Sequence, residues 1–216
     1  MRMRKKKNLE PRLEAVADYI ISDPESYSGK WRAVNGGGYG RLWVELGCGM
    51  GRFASQCAAD NPDVMFVAAE RVPEALVVAA EKAKAAGAVN LRVISGDAAR
   101  INAWFADGEI DRLYVQFCDP WPKKKQYKRR LTSRGFLELY ARALAADGQL
   151  WFKSDNRDLV EFTRLELLES GWEILEYSAD WHAEPSRPQD EIMTEYEMKF
   201  SARGVPIGRV TAKKNT

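Results

Sequence analysis

The sequence alternates short apolar segments with helical patterns, and this alternation limits its fold more than any other feature. Strands are predicted over residues 42–46, 64–69, 91–94, 110–117 and 149–153. Helices are predicted between and after them, over residues 52–59, 73–86, 98–105, 133–145 and 157–169. Two further strands, over 172–177 and 193–200, follow without a long helix between them. This order indicates an α/β fold whose seven-stranded, mostly parallel sheet is covered by helices on both faces.

The N-terminal part of the chain is predicted to precede the main domain. Residues 1–31 are expected to form a basic tail and a helix over 9–21, and Gly36-Gly37-Gly38 is typical of a linker. A chain of 216 residues suffices for one sizeable α/β domain, so residues 32–216 are predicted to form a single domain. No apolar run approaches the roughly 20 residues that a membrane span needs, and none follows the basic N-terminus as in a signal peptide. We therefore expect a cytoplasmic protein that does not enter a membrane.

Few residues of this chain are suited to metal binding or covalent catalysis. Its three cysteines have no paired spacing and its one histidine is His182, so we expect no zinc site and no disulfide framework. A histidine-dependent triad would have to be built around His182, which is predicted to be a loop or packing residue. Among the three cysteines, Cys118 is the candidate for a nucleophile. Beside Asp119 at a strand end, however, it is predicted to be a small buried side chain.

A glycine-rich turn joins the first of these strands to the helix that follows it, and it predicts a ligand site. The turn Gly47–Gly51 permits positive φ and a close approach of a ligand to the backbone. Arg52 stands where a dinucleotide fingerprint has glycine or alanine, and Glu45 suits a cofactor with ammonium and sulfonium charges better than a pyrophosphate. Glu70 and Asp97 follow the next two strands, at positions suited to a ribose diol and an adenine amino group. The three acids are therefore predicted to line one cleft at the carboxyl ends of the strands.

A concentrated basic segment follows the fourth predicted strand. The formal net charge of the chain is only +2, yet six of the eight residues from 123 to 130 are basic. Pro120 and Pro122 stiffen the loop before this segment, so Asp119 is expected to be held at the cofactor cleft. A basic run beside such a cleft predicts contact with the phosphates of a nucleic acid.

Four segments carry a resemblance to a known family: residues 45–51, 117–130, the Lys-Ser-Asp-Asn run at 153–156 and the Thr-Glu-Tyr-Glu run at 194–197. Together they resemble the bacterial tRNA (guanine-N7-)-methyltransferases, and the similarity runs from about residue 42 to residue 207. The resemblance implies a Rossmann-like class I S-adenosylmethionine-dependent methyltransferase fold. It also implies methyl transfer from S-adenosylmethionine to N7 of a guanosine in tRNA, at position 46 of the variable loop. Two residues depart from the family pattern, since Gln126 replaces a usual histidine and Cys118 a common proline.

The resemblance also implies roles for individual residues. The cofactor-binding residues would be Glu45, Glu70, Asp97 and Asp119, of which Asp119 would also be catalytic. The substrate contacts would be Lys123, Asp155, Thr194, Glu195, Tyr196 and Glu197. The RNA contacts would be Lys125, Gln126, Tyr127, Lys128, Arg129 and Arg130. The expected partner is thus tRNA, bound by a monomer or a homodimer.

The recognition of guanine calls for a carboxylate. Guanine differs from adenine at the edge where N1–H and the N2 amino group are adjacent donors, and one carboxylate can accept from both. Asp155, Glu195 and Glu197 are the candidates for this role. If residues 193–200 form a strand, Glu195 and Glu197 share one face, and Thr194 and Tyr196 share the other.

Two other functions stay open at the level of the sequence. Asp119-Pro120-Trp121-Pro122 partly matches the loop with which amino-group N-methyltransferases bind a reacting nitrogen, so the substrate could be another nucleic acid or a protein. A non-catalytic RNA-binding protein on a degenerate methyltransferase fold is the second alternative. The presence of Glu45, Glu70, Asp97 and Asp119 argues against it.

Overall fold

The computed structural model describes residues 8–215, which pack as two compact units, one ending at Ala106 and one beginning at Asp107. The first unit contains helices α1 (Leu9–Ala15), α2 (Arg52–Asp60), α3 (Pro73–Ala85) and α4 (Ile101–Trp104) and strands β1 (Ile20–Ile21), β2 (Arg41–Leu46), β3 (Val64–Glu70) and β4 (Leu91–Ser95). The second contains helices α5 (Arg134–Ala143), α6 (Arg157–Glu169) and α7 (Glu195–Ser201) and strands β5 (Ile110–Gln116), β6 (Leu144–Ser154), β7 (Trp172–Ser178) and β8 (Gly208–Lys214). The single domain from residue 32 onward stays a prediction, and the basic tail at residues 2–7 lies outside the described residues.

The first unit is built on four parallel strands in the order β1-β4-β3-β2. Almost every residue of β2 and β3 is buried, as expected of parallel strands that are covered on both faces. The register pairs Leu46 with Ala69, and Ala69 with Ile94. The carboxyl ends of β2, β3 and β4 are therefore level, so the turns that follow them emerge at the same edge of the sheet.

The second unit combines parallel and antiparallel pairing in the order β5-β6-β8-β7. Strands β5 and β6 are parallel, while β8 runs antiparallel to both β6 and β7. Helix α6 begins directly after β6, where the Asn156 side chain accepts a 2.8 Å hydrogen bond from the Leu159 amide. This cap satisfies one of the unpaired amides of the first helical turn and fixes the end of β6.

The structure confirms the α/β class and its mostly parallel pairing, with three corrections. Residues 8–215 hold eight strands rather than seven, because the short β1 follows α1 where a longer helix was predicted. The predicted helix at 98–105 is divided into a 3-10 turn and the short α4. The predicted strand at 193–200 is wrong, since these residues form most of α7 and the last strand is β8.

The cap at Thr194 explains why the predicted strand is a helix. Its Oγ1 accepts a 3.0 Å hydrogen bond from the Glu197 amide, and Glu195 and Glu197 lie in the first helical turn. Both features stabilise a helix N-terminus. The alternating residues that suggested a strand in this segment are therefore the capping threonine and the first-turn acids of a helix.

We expect Gly51 to be required for the packing of α2 against α3. A Cβ at Gly51 would lie 2.6 Å from Ala79 Cβ and 2.7 Å from Ala79 Cα, and φ is +72°. Gly87 has a similar φ of +62°, but a Cβ at that position would meet no atom within 4 Å. Gly87→Ala therefore tests the backbone cost alone, about 1–2 kcal/mol. Gly51→Ala should lose roughly 1–3 kcal/mol more, measured by denaturant unfolding. Equal losses in the two variants would contradict the close packing at Ala79.

Candidate active site

The glycine-rich turn after β2 is anchored to the end of β3 and open on its other side. The amides of Gly47 and Cys48 donate to the Ala69 carbonyl at 2.8 and 3.1 Å. Gly47 and Gly49 have φ of +76° and +55°, and a Cβ on either would meet no atom within 4 Å. These two glycines thus leave backbone exposed at the carboxyl edge of the strands, where a ligand can approach closely.

Glu70 organises this turn through both of its carboxylate oxygens. Oε2 accepts from the Gly49 amide at 2.9 Å, and Oε1 accepts from the Val72 amide at 2.8 Å. The carboxylate therefore ties the glycine-rich turn to the turn before α3. Each oxygen keeps a second lone pair that can accept from a ligand hydroxyl.

Glu45 and Asp97 lie on the same edge of the first unit. Glu45 is 2% exposed near the end of β2, whereas Asp97 is exposed after β4. The Asp97 carboxylate accepts from the Ala99 amide at 3.0 Å and lies 3.5 Å from the Arg71 guanidinium. The structure therefore brings Glu45, Glu70 and Asp97 to one edge, as predicted. Carboxylates beside open glycine backbone fit a ligand that carries an ammonium group and hydroxyl or amino donors.

The loop after β5 holds Asp119 in an exposed position between two unusual backbone conformations. Phe117 and Trp121 have φ of +50° and +40°, a region that bulky residues rarely adopt. The Phe117 amide donates to the Lys153 carbonyl at 2.9 Å, which attaches the start of the loop to β6. Asp119 itself is exposed. Such strained conformations persist only where surrounding contacts fix them, and they concentrate at functional sites.

The predicted RNA-contact segment forms a 3-10 helix over Lys124–Arg129. Its lysines and Arg129 are exposed, as is Lys123 before it, while Gln126 and Tyr127 are partly buried. Arg130 differs from them because it is only 3% exposed and packs against the rings of Tyr127 and Phe162. The predicted RNA contact of Arg130 is therefore corrected, since a buried guanidinium is not available to a phosphate.

The side chains of the Thr-Glu-Tyr-Glu run at 194–197 do not alternate between two faces as they would in a strand. Thr194 caps α7, and Glu197 is fully buried, with Oε1 3.1 Å from Lys153 Nζ and 3.0 Å from His182 Nε2. Glu195 is partly buried and Tyr196 is 45% exposed. The prediction that Glu195 and Glu197 share one face of a strand is thus wrong, because the segment is helical and the Glu197 carboxylate points into the protein.

Tyr196 brings this run next to the Asp119 loop. Its ring stacks at 18° to the ring of Phe117, with 6.4 Å between the centroids, and Phe117 precedes Asp119 by two residues. Asp155 is partly buried after β6, two residues beyond Lys153. The second unit therefore collects the three predicted segments, residues 117–130, 153–156 and 194–197, in one region.

Sequence reasoning missed Glu191, which is the centre of a largely buried ionic cluster. Glu191 Oε1 lies 2.9 Å from Lys153 Nζ and 3.1 Å from Arg209 Nη1. Its Oε2 accepts from Trp181 Nε1 at 2.6 Å and from Arg187 Nε at 3.1 Å. The spacing of four between Arg187 and Glu191 was a signal, but nothing in the sequence shows that this carboxylate is enclosed.

Cys118 is poorly suited to act as a nucleophile, and His182 is held by a carboxylate. Burial and the negative charge of Asp119 raise the pKa of the Cys118 thiol to about 12, so it stays protonated at neutral pH. His182 Nε2 is engaged with Glu197 Oε1 at 3.0 Å. The placement of His182 in a 3-10 turn agrees with the loop or packing role expected from the sequence, whereas Cys118 is only partly buried rather than buried as predicted. Within residues 8–215, no group of three or more histidine, cysteine, aspartate or glutamate residues could hold a metal ion.

We expect Glu191 to stabilise the protein in a pH-dependent way. Burial raises its pKa, but the charges and hydrogen bonds of Lys153, Trp181 and Arg209 outweigh burial and lower the pKa below its ordinary value of 4.5. A lowered pKa stabilises the fold above pH 4.5, and this contribution is lost as the pH falls through the folded-state pKa. Glu191→Gln should therefore lower the free energy of unfolding by on the order of 3 kcal/mol at pH 7 and flatten its fall below pH 4.5.

The control for this prediction is Glu173→Gln. Glu173 forms an ion pair with Lys213 at 3.0 Å, but both side chains are well exposed. The control should change the free energy of unfolding by less than about 1 kcal/mol. Denaturant unfolding from pH 3 to pH 8 measures both variants. An unchanged pH profile in Glu191→Gln would show that the cluster does not depend on this carboxylate.

A family model and many curated proteins match this chain. The family described as "Putative methyltransferase" matches residues 40–210. The tRNA (guanine-N(7)-)-methyltransferase of Geobacillus kaustophilus (strain HTA426) is 42% identical over 212 residues, which cover 98% of this chain and 96% of that protein. The enzyme of the same name from Streptococcus agalactiae serotype III (strain NEM316) is 38% identical and covers 99% of this chain and 100% of its own.

The solved structures that resemble this chain have low sequence identity, so they support only its fold. A single-residue mutant of the 16S rRNA (adenine(1408)-N(1))-methyltransferase from Catenulisporales acidiphilia, with cosubstrate SAM, superposes with a TM-score of 0.59 at 18% identity, over 90% of this chain and 92% of that one. A 30S ribosomal A1408 methyltransferase from an uncultured bacterium gives 0.59 at 16% identity, over 90% and 95%. Both carry the Rossmann-like methyltransferase fold that the sequence predicted. In the part of the chain that the structure describes, no helix is long and apolar enough to cross a membrane.

Proposed function

This chain belongs to the family of the bacterial tRNA (guanine-N(7)-)-methyltransferases, and we propose that it transfers a methyl group from S-adenosylmethionine to N7 of a guanosine in tRNA. The observation that carries the proposal is the similarity of about 40% identity along nearly the whole chain. The guanosine at position 46 of the variable loop is the proposed target, as the family resemblance implies. The proposed setting is the cytoplasm, with the protein acting as a monomer or a homodimer.

The acids of the first unit are the proposed cofactor-binding residues. S-adenosylmethionine supplies a methyl group bonded to a positively charged sulfur. Glu70, held by the amides of Gly49 and Val72, is suited to accept from ribose hydroxyls. Asp97 is suited to an adenine amino group, and the buried Glu45 supplies a negative charge near the open glycine backbone. The family resemblance also implies a cofactor contact for Asp119, and that role is proposed from the resemblance alone.

The chemistry of guanine N7 matches the residues that the chain offers. N7 carries a lone pair and no proton, so its methylation needs neither a general base nor a covalent adduct. An exposed carboxylate such as Asp119 can orient the base or stabilise the positive charge that develops on the purine. This agrees with a chain whose histidine pairs with Glu197 and whose Cys118 thiol has a raised pKa.

We propose that residues of the second unit recognise the guanine base. Asp155 and Glu195 are the proposed carboxylates for the N1–H and N2 edge of guanine, because both are partly accessible while Glu197 is fully buried. Lys123 and Tyr196 are the proposed additional substrate contacts, and both have exposed side chains. Thr194 and Glu197 support this site by capping α7 and by pairing with Lys153.

The experiment that tests this function is methyl transfer with labelled S-adenosylmethionine and bulk tRNA, followed by nucleoside analysis. The wild-type chain should produce N7-methylguanosine. Asp119→Asn should lower turnover by about a hundredfold or more, as expected for the removal of a preorganised charge. The matched control is Asp147→Asn, which replaces an exposed acid of the same unit and should keep normal turnover.

The product separates the proposed function from its alternatives. A methylated exocyclic amino group would identify an amino-group N-methyltransferase instead. Tight tRNA binding without any methylated nucleoside would identify a non-catalytic RNA-binding protein. Normal turnover in a folded Asp119→Asn variant would leave the function intact but remove Asp119 from the catalytic site.

The basic 3-10 helix is expected to supply phosphate contacts. Replacing Lys128 and Arg129 with alanine should weaken tRNA binding and reduce its salt dependence by roughly 0.7–0.9 log units of slope for each phosphate that is no longer neutralised. Arg41→Ala is the control, because Arg41 is exposed at the amino end of β2, away from the carboxyl ends where the acids lie. Binding titrations at several salt concentrations measure both proteins. An unaltered slope in the double variant would show that these side chains do not neutralise phosphates.

A further inference from the structure

Arg130 is a buried cation that contacts the backbone of the Asp119 loop. Its Nε donates to the Pro120 carbonyl at 2.8 Å, and Nη2 donates to the Trp121 carbonyl at 3.4 Å. Arg130 as a whole is only 3% exposed to solvent. Within residues 8–215, Arg130 forms no ion pair with a carboxylate within 4 Å. Its charge is therefore compensated mainly by carbonyl dipoles of this loop and by aromatic rings.

The same guanidinium lies over two aromatic rings that belong to different structural elements. Its Cζ lies 3.8 Å from the centroid of the Tyr127 ring, which is part of the basic 3-10 helix. It also lies 4.3 Å from the centroid of the Phe162 ring on α6. The rings of Tyr127 and Phe162 meet edge to face, with 5.4 Å between centroids. Contact with two rings that meet at 65° restricts the rotation of the guanidinium, and with it the direction of the donors that reach the loop.

The Asp119 loop needs such an anchor at its second half. Its first half is attached by the Phe117 amide, which donates to the Lys153 carbonyl. Trp121 has φ of +40° and comes two residues after Asp119, and its carbonyl is one of the two that Arg130 holds. A bulky residue in this conformation relaxes unless its neighbours oppose the change.

We propose that Arg130 is a positioning residue that fixes Asp119 for methyl transfer by holding the carbonyls of Pro120 and Trp121. The proposal rests on the proposed function, and it gives Arg130 a role distinct from that of the exposed residues beside it. Those residues contact phosphates in the proposed function, so their loss acts on tRNA binding. Loss of Arg130 acts on the chemical step, because it displaces the loop that carries Asp119.

Lysine cannot replace arginine in this role. A planar guanidinium can donate to two carbonyls while it packs against aromatic rings, whereas an ammonium is a compact charge without a planar face. Arg130→Lys therefore keeps the charge and most of the side-chain volume but removes the fixed direction of the donors. We expect kcat at saturating tRNA to fall about ten- to a hundredfold, since small misplacements of catalytic groups have effects of this size. The KM for tRNA should change less than about threefold.

The comparison variant is Lys128→Gln. Lys128 is exposed in the same basic 3-10 helix, whereas Arg129 itself contacts the Asp119 loop, with its Cζ 5.1 Å from the centroid of the Trp121 ring. Lys128→Gln should raise the KM for tRNA and reduce the salt slope with little change in kcat. A rise in KM and a reduced salt slope in Arg130→Lys, with kcat unchanged, would show that Arg130 is a phosphate contact and would overturn the proposal.

A double variant separates positioning from general stability. If Arg130 acts through Asp119, then Asp119→Asn with Arg130→Lys should lose no more kcat than Asp119→Asn alone. Multiplied losses would show that Arg130 acts elsewhere and would overturn the proposal. Hydrogen exchange of residues 117–123 should be faster in folded Arg130→Lys than in the wild type.

Phe162→Leu provides a second route if Arg130→Lys does not fold. It removes one contacting ring and leaves the guanidinium and the loop unchanged in sequence. Its kcat should fall several-fold with the KM for tRNA maintained, and normal kcat in this variant would overturn the proposal. Wild-type protein that fails to methylate tRNA would contradict the proposed function itself. Wild-type activity together with undiminished kcat in Arg130→Lys would contradict only the role of Arg130.

Discussion

The arrangement of the second unit depends on the pairing of one buried ammonium group. Lys153 is 5% exposed at the end of β6, and an unpaired charge in that position would cost several kcal/mol. Glu191 and Glu197 supply the partners at 2.9 and 3.1 Å, which draws the loop before α7 and α7 itself onto β6. The backbone carbonyl of the same residue holds Phe117 at the start of the Asp119 loop. One lysine thus connects three segments that are far apart in the sequence.

The arrangement of the cofactor edge was predictable from the sequence, whereas one locally capped helix and the contacts between distant residues were missed. The glycine-rich turn and the acids Glu45, Glu70 and Asp97 follow from strand order alone, because parallel strands end at one edge. The helix at 195–201 was missed because its start alternates like a strand and is decided by the Thr194 cap. The burial of Glu191 depends on partners as far away as Lys153, which no local pattern reports.

The basic segment shows how the same residue type serves two purposes in adjacent positions. Arg129 is exposed and Arg130 is 3% exposed, although the sequence presents them as members of one charge run. The 3-10 helix ends at Arg129, and the side chain of Arg130, the next residue, packs against the Tyr127 ring. A charge run therefore predicts the presence of a cationic surface but not which of its members form it.

The contacts around Asp119 and those around Lys153 differ in how much chain they enclose. Arg130 and Pro120 are separated by ten residues, whereas Lys153 and Glu197 are separated by forty-four. Short closures cost little conformational entropy, so the loop contacts are accessible early and the lysine pairing late in folding. During synthesis, the Asp119 loop can close before α7 has left the ribosome. The Lys153 ammonium group at the end of β6, by contrast, stays in water until Glu191 and Glu197 have been made. The segment that holds Glu191 and Glu197, made well after β6, is thus the part that commits the end of β6 to its buried position.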